Sequence, residues 1–324
     1  MPLTTRLAAT ARGSRAAIAG FGVLAAFALI LSACGVNTTG STSGHTTTGA
    51  VPTSTVSCPS TATVASWHLV TSSQLTIASD TTYAPAEYPD PQNPTHYIGY
   101  DMDIARELAR RLCLQPNIVK TTFDSIIPDI AGAPLGQQRY DLSISSFTIN
   151  DKRQQVVNMI PYFTAGESIL TTPANAGTIK SIADMCGKTI AVQNGTVEQQ
   201  ELEDANGGSN GSGQAPICQQ ANKPITLVAN DDQGFVVNQV LNGRADASYQ
   251  DQPVTDYYAS LHKGQLVDSG ITVQPSPEGI VVRKDNPALQ TAITDALNNM
   301  RADGTYLRIL TAWGEQSLAY PPLS

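Results

Sequence analysis

The feature that most constrains this chain is an alternation of short apolar strands with amphipathic helices, which begins at residue 74. In the helical segment 103–114, Ile104, Leu108 and Leu112 recur every four positions, so they share one face. In 140–145, Leu142 and Ile144 alternate with polar residues, which is typical of a strand. Strand, helix, strand, helix and strand in this order predict an α/β layered sheet. The segments are QLTIAS (74–79), DIARELARRLCL (103–114), NIVKTTF (117–123), SIIPDIAGA (125–133) and YDLSIS (140–145).

The same alternation begins again in the second half and predicts a smaller α/β unit. KTIAVQ, PITLVA and ADASYQ are predicted strands, with helices between them. GIVVRK and the last two helical segments are expected to return to the first unit. We therefore predict two lobes joined by two crossing strands, with a ligand cleft between them. The expected boundaries are 66–170 plus 276–324 for lobe 1 and 171–275 for lobe 2.

The first residues resemble an export signal. Arg6, Arg12 and Arg15 precede the apolar run IAGFGVLAAFALIL, and Leu31-Ser32-Ala33 then lead into Cys34. A cysteine at that place resembles a bacterial lipobox, which implies a signal peptide over 1–33 and lipidation of Cys34. An ordinary signal peptide or a membrane-spanning anchor is the alternative.

Residues 34–65 are rich in Ser, Thr and Gly and have almost no large apolar side chains. Such a segment cannot bury a core, so it is predicted to be a flexible tether. An O-glycosylated stalk is the other interpretation. Together with the lipobox, the tether favours a protein anchored by lipid to the outer face of a cell membrane, as in Gram-positive bacteria.

The net charge is −8, and it becomes more negative once the leader arginines are removed. An acidic chain of this kind does not favour nucleic acid as a partner. The glycine-rich segment ANGGSNGSGQAP does not match a dinucleotide-binding loop, and the four His are scattered. We therefore expect neither a cofactor nor a metal.

Four cysteines remain after Cys34, and an even number in an exported chain favours disulfides. Three pairings are possible. Cys186 with Cys218 is favoured because both precede strands of the same half. That choice leaves Cys58 with Cys113.

The segment SSFTINDKR (145–153) places hydroxyl side chains, a helix start and an arginine close together. Asn150 is predicted to be the N-cap, and the unpaired N–H groups of a helix start attract anions. The guanidinium of Arg153 offers two parallel hydrogen bonds to a carboxylate. Ser145, Ser146 and Thr148 complete a candidate carboxylate receptor. A surface turn with a solvated arginine is the simpler alternative.

Residues 74–315 resemble a family 3 extracellular solute-binding protein, the polar amino acid-binding component of an ABC importer. The resemblance rests on an ordered set of motifs along both halves. These are IASDTTYAPAEY, IGYDMDIARELARRL, YDLSISSFTINDKRQQVV, PYF, GKTIAVQNGT, LNGRADASYQDQPV, GIVVRKDNPAL and MRADGTYLRILTAWG.

The resemblance implies roles for the residues at the family's binding positions. Arg153 is expected to hold the ligand's α-carboxylate, with backbone N–H groups of Thr148 and of Thr196 or Val197. Asp251 is expected to hold the α-ammonium. The hydroxyl of Ser146 assists Asp251. Arg153 belongs to the first lobe and Asp251 to the second, so closure is expected to depend on the ligand.

Four further positions are implied around the ligand's side chain. Tyr83 and Phe123 are expected to form aromatic walls, although Phe123 suits a core position equally well. Asp80 and Gln193 are expected to face the side chain. A carboxylate between aromatic walls favours arginine, lysine or histidine, with glutamine next. A dicarboxylic amino acid is disfavoured, because Asp80 would repel it.

Several acidic residues have simpler explanations. Glu87 is interpreted as a surface or loop-bonding residue. Asp101, Asp103, Asp124 and Asp184 are interpreted as helix caps. Glu278 stands where relatives often have an aromatic residue, and it is expected to bring a negative charge near the hinge.

The resemblance implies a monomer that works with an ABC permease and its ATPase subunits. Two other classes stay open. One is an enzyme on the same scaffold, such as a cyclohexadienyl dehydratase, which would need an acid–base pair in the cleft. The other is the ligand-sensing part of a receptor.

Overall fold

The computed structural model describes residues 57–321, apart from the side chains of residues 271–274. The predicted leader, Cys34 and most of the predicted tether lie outside the described residues. The last part of the predicted tether is a helix, because the side chain of Ser60 caps the N–H of Thr63. The helices are α1 (Thr61–Ala65), α2 (Tyr100–Arg111), α3 (Phe123–Gly132), α4 (Asp151–Gln154), α5 (Ile182–Met185), α6 (Val197–Ala205), α7 (Ile217–Gln220), α8 (Gln233–Leu241), α9 (Gln252–Leu261), α10 (Pro287–Ala302), α11 (Thr305–Trp313) and a 3-10 turn at Gln316–Leu318.

The strands form one large mixed sheet and a separate hairpin. The order in the large sheet is β4-β1-β5-β10-β6-β9-β7-β8, and the hairpin consists of β2 and β3. The strands are β1 (Gln74–Ser79), β2 (Tyr88–Asp90), β3 (Asn93–Ile98), β4 (Gln115–Lys120), β5 (Leu142–Ser143), β6 (Asn158–Thr171), β7 (Thr189–Gln193), β8 (Thr226–Asn230), β9 (Ala247–Asp251) and β10 (Val267–Val282).

The two longest strands, β6 and β10, join the two halves of the sheet. They pair antiparallel along nearly their whole length, from Val267 opposite Thr171 to Val282 opposite Asn158. On one side, β1 is parallel to β4 and β5, and on the other β7 is parallel to β8 and β9. The predicted α/β fold with two crossing strands is therefore confirmed.

The buried apolar side chains separate into cores on either side of the crossing strands. Leu75, Ile104 and Leu297 belong to a core that includes the two C-terminal helices. Ile190 and Leu202 belong to a core of the second half. Each half thus buries its own apolar face, which suits two lobes. The expected boundaries fall within or beside β6 and β10, and their placement stays a prediction.

Both disulfides favoured by the sequence are present. The Cα atoms of Cys58 and Cys113 are 5.6 Å apart, and those of Cys186 and Cys218 are 5.0 Å apart. The first bond ties the start of the described chain to the end of α2. The second ties the end of α5 to α7. The predicted pairing is therefore confirmed.

Two features are absent from residues 57–321. None of the helices there has the length and apolar character needed to cross a bilayer. In the same range, no group of three or more His, Cys, Asp or Glu side chains is placed to hold a metal ion.

Candidate ligand-binding cleft

The loop after β1 carries Asp80 and Tyr83 to the edge of the sheet. Its position is fixed by Ser145, whose hydroxyl accepts a hydrogen bond from the Asp80 N–H at 2.9 Å and donates to Glu87 Oε1 at 2.8 Å. Gly99 lets the loop approach α2, because a Cβ there would lie 1.9 Å from the Ala86 carbonyl oxygen. Glu87 is a loop-bonding residue, as predicted. It is buried, however, so the surface interpretation was wrong.

Behind the loop after β5, Asp101 is a fully buried acceptor. Its carboxylate accepts from the Ser146 N–H at 3.0 Å and from the Tyr162 hydroxyl at 2.7 Å. These bonds hold Ser146 in a left-handed conformation, with φ +44°. The cap prediction for Asp101 and Asp103 was wrong, because Gly99 is the N-cap of α2 and both aspartates lie inside its first turn.

The cap prediction was also wrong for Asp124 and Asp184, because Thr122 and Ser181 are the N-caps of α3 and α5. Asp124 lies in the first turn of α3. Asp184 lies in the first turn of α5, where its carboxylate accepts hydrogen bonds from Ser181 Oγ and the Lys180 N–H. Glu278 is buried on crossing strand β10, and burial raises its pKa well above the usual value.

Arg153 points into the cleft from the short helix α4, whose N-cap is Asn150, as predicted. Its guanidinium lies 5.0 Å from the ring centre of Phe147 and 5.5 Å from that of Phe123. The two rings stack on each other at 4.1 Å. This aromatic support positions the charge within the protein interior. Burial lowers the pKa of Arg153 to about 10, so the side chain stays protonated at neutral pH.

The guanidinium of Arg153 connects both sides of the cleft. Its Nη1 donates to the Thr148 carbonyl at 2.7 Å, and its Nη2 donates to the Gly195 carbonyl at 3.2 Å. Gly195 has φ +79°, and a Cβ there would lie 2.7 Å from the Asp124 Cβ. Glycine is therefore required where the turn after β7 meets α3.

The turn after β7 leads into α6 and presents its first N–H groups to the cleft. Thr196 is the N-cap, and its side-chain oxygen accepts from the Gln199 N–H at 3.2 Å. Thr196 and Val197 both line the cavity. A helix start is suited to an anionic group, because its first N–H groups have no partner within the helix.

Asp251 lies at the end of β9, where the chain enters α9. Its Oδ2 accepts a hydrogen bond from the Tyr83 hydroxyl at 2.9 Å, and its N–H donates to the same hydroxyl oxygen at 3.1 Å. Burial raises the pKa of Asp251 to about 7. Tyr83 and Asp251 are 168 positions apart in the sequence, so this contact joins the two halves.

Asp80 and Gln193 form a second contact across the cleft. The Gln193 amide donates to Asp80 Oδ2 and also to the Asp231 carbonyl oxygen at 3.0 Å. Thr82 donates to the other Asp80 oxygen at 2.9 Å. Burial raises the pKa of Asp80 to about 7 despite these bonds.

A narrow cavity of about 10 Å³ lies between the two halves. Every predicted ligand-binding residue lines this cavity except Asp80 and Ser145. Asp80 lies outside the lining but accepts a hydrogen bond from Gln193. Ser145 supports the loop that carries Asp80. The roles of all these residues toward a ligand stay predictions. The lining is Tyr83, Phe123, Ser146, Thr148, Arg153, Gln193, Thr196, Val197, Glu198 and Asp251.

Sequence reasoning missed Glu198 and Phe147. Glu198 lies in the first turn of α6 and is almost fully buried. Burial, and then the Asp251 carboxylate, raise its pKa well above the usual value. Its place two residues after Thr196, a predicted binding residue, was a signal that could have identified it. Phe147 lies inside the hydroxyl cluster, and its ring supports the Arg153 guanidinium.

The chain belongs to the bacterial extracellular solute-binding proteins of family 3, because the family model matches residues 75–316. The fold and the cavity between its halves agree with this assignment.

Named relatives and solved structures support the same class. The histidine-binding periplasmic protein of Salmonella typhimurium is 27% identical over 250 residues, which cover 73% of this chain and 85% of the relative. An ancestral arginine-binding protein solved with arginine is 27% identical, with a TM-score of 0.65 and coverage of 74% and 98%. An ancestral amino acid-binding protein described as a precursor of cyclohexadienyl dehydratase is 30% identical, with a TM-score of 0.62 and coverage of 74% and 95%.

Proposed function

We propose that this protein captures a polar L-amino acid in the cavity between its lobes and delivers it to an ABC permease. The observation that carries the proposal is the pair Arg153 and Asp251. They come from opposite sides of the crossing strands, and both line one cavity. The relatives named for histidine and arginine binding support the same class of ligand.

A zwitterion in such a cavity needs a partner for each of its charges, because an unpaired buried charge is costly. Arg153 is the donor for the α-carboxylate, together with N–H groups of Thr148 and the start of α6. Asp251 is the acceptor for the α-ammonium, and the Ser146 hydroxyl assists it. A ligand held this way bridges lobe 1 (66–170 plus 276–324) and lobe 2 (171–275), and the bridge favours the closed form.

The charges of the cleft favour a cationic ligand. With Asp80 and Asp251 ionised, one guanidinium faces two carboxylates. Arginine, lysine or histidinium adds one net positive charge toward this balance, whereas glutamine adds none. Asp80 accepts from the cationic side chain while Tyr83 and Phe123 lie against it. Arginine, lysine and histidine are therefore the favoured ligands, and glutamine follows.

The location and partners complete the proposal. Lipidation at Cys34, after removal of 1–33, would hold the binding domain at the outer face of the membrane. A monomer tethered there can pass its ligand to a permease driven by ATPase subunits. A lipid anchor of the Gram-positive type fits the lipobox and the Ser/Thr-rich tether.

The test is isothermal titration of the purified whole chain against a panel of L-amino acids. The protein is first unfolded and refolded to remove any ligand bound during expression. Saturable binding of a basic amino acid or glutamine is expected, and Arg153→Ala and Asp251→Ala should abolish it. Circular dichroism of each variant is the control for folding. Absence of binding to every polar amino acid would refute the proposal.

A dehydratase is the second candidate. It is favoured by the similarity to a cyclohexadienyl dehydratase precursor and by Glu198, a buried carboxyl group in the cavity with a raised pKa. Such a group is suited to act as a general acid. Incubation with prephenate or arogenate separates the two functions: a binding protein leaves these compounds unchanged, and an enzyme releases carbon dioxide and water from them.

A further inference from the structure

In the proposed function, Arg153 holds the ligand's α-carboxylate and Asp251 holds its α-ammonium. One ionisable residue of the cavity lining, Glu198, is left without a role. Its side chain is almost fully buried, with 2% of the residue's surface exposed. Its Oε1 atom has no hydrogen-bond partner in the described part of the chain. A buried polar atom without a partner is costly, and here it lies in the wall of the proposed ligand site.

Glu198 shares the cavity wall with Asp251, the proposed acceptor of the ligand's α-ammonium. Two carboxyl groups in one buried site cannot both ionise easily, because the like charges repel and water is excluded. Burial raises the pKa of Asp251 to about 7, and burial followed by the Asp251 charge raises that of Glu198 well above its usual value. Both shifts favour the protonated form, and Asp251, with a pKa of about 7, is itself partly protonated at neutral pH.

The groups around this pair come from every neighbouring element, and most of them are acidic. Arg153 on α4 is the cation that faces both carboxyl groups. The Tyr83 hydroxyl already donates to Asp251. The remaining acidic neighbours are Glu167 on β6, Glu201 on α6, Asp101 on α2 and Glu278 on β10.

We propose that the carboxyl pair Glu198 and Asp251 gives up a proton when the ligand's α-ammonium binds, so that capture of the amino acid releases a proton to solvent. In this step the O–H bond of one carboxyl group breaks and the proton passes to water or buffer. The ammonium keeps its own protons and lies between two carboxylates. Glu198 thereby becomes a second acceptor that selects a charged α-amino group. This proposal rests on the proposed function.

The pH dependence follows from the direction of the shifts. Both groups have raised pKa values, so they are protonated at low pH and a ligand must displace the proton there. Affinity is therefore highest above the pKa of about 7 found for Asp251 and decreases as the pH falls. Each proton released weakens binding by up to about tenfold per pH unit.

The experiment is titration of L-arginine into the refolded whole chain at pH 7 in phosphate and in Tris. The difference in enthalpy between buffers of different ionisation enthalpy gives the number of protons released. Wild type is expected to release roughly one proton more than Glu198→Gln, because the substitution removes one carboxyl group that can lose a proton. Glu203→Gln, on the same helix but outside the cavity lining, is the matched control and should behave as wild type.

Asp80 also has a raised pKa, so a cationic side chain releases a proton there as well. Repeating the titration with L-glutamine, whose side chain is neutral, leaves that contribution out. Equal proton release by wild type and Glu198→Gln overturns the proposal. If Glu198→Gln does not fold, the wild type decides alone: an affinity that stays constant between about pH 5.5 and 7.5 also overturns it. Failure of every amino acid to bind would instead refute the proposed function.

Discussion

Replacing Asp80 with asparagine tests whether the ligand's side chain is cationic. The asparagine side chain keeps the size of the aspartate and one oxygen that accepts from Gln193, its NH2 group replaces the oxygen that accepts from Thr82, and the negative charge is removed. Because Asp80 is almost fully buried, solvent screens its charge only weakly. The change therefore removes one electrostatic partner with little effect on packing.

The expected magnitude comes from the hydrogen bond that is lost. A hydrogen bond to a charged group contributes about 1.5–3 kcal/mol, which corresponds to roughly a 10- to 150-fold change in affinity. Asp80→Asn should weaken L-arginine binding by that factor. Binding of L-glutamine should weaken less than that of L-arginine, because a neutral amide loses only the charge assistance of one hydrogen bond and no ion pair.

The assay is isothermal titration of wild type and variant with both amino acids at pH 8, where Asp80, with its pKa of about 7, is mostly ionised. Asp231→Asn is the matched control, because the exposed Asp231 carboxylate accepts from Asn194 and lies outside the cavity lining. It should leave both affinities within about twofold. Equal losses for arginine and glutamine in Asp80→Asn would refute the assignment of Asp80 to the ligand's side chain.

Three further changes test the support of the site and the fold. Arg153→Lys keeps the charge but loses the planar fork, so titration should show binding weakened about 10- to 100-fold, and full affinity would contradict the bidentate role. Tyr83→Phe keeps the ring and removes the hydroxyl that donates to Asp251, so affinity should fall about 3- to 10-fold. An unchanged affinity would show that this hydrogen bond does not stabilise the closed, ligand-bound form. The double change Cys186→Ser with Cys218→Ser opens a loop spanning 32 residues and should cost about 3–4 kcal/mol, seen as a lower melting temperature by calorimetry; an unchanged melting temperature would contradict a stabilising disulfide.

Local patterns in the sequence predicted most of the fold. Ile104 and Leu108 on one face of α2, and the alternation in the strands, follow from periodicity within a few residues. Asn150 as the N-cap of α4 is equally local. Family motifs then brought most of the cavity lining together in advance, including Arg153 and Asp251.

Contacts between distant segments were not predictable in the same way. Asp101 has the position of a capping residue in the sequence, yet it is buried because it accepts from Ser146, 45 positions away. Ser145 lies in a hydroxyl cluster that suggested ligand contact, but its hydroxyl holds Glu87, 58 positions away. Glu198 belongs to an ordinary polar helix in the sequence, yet it is buried in the wall of the cavity. Tertiary burial, which periodicity does not encode, decides the role of each.

The most direct test of the account is a crystal structure of the protein with the amino acid that the titration panel selects. The account predicts the ligand in the cavity between the lobes, with its α-carboxylate on the Arg153 guanidinium and its α-ammonium on Asp251 and Glu198. A ligand bound outside this cavity, or bound with its carboxylate directed away from Arg153, would contradict the central claim.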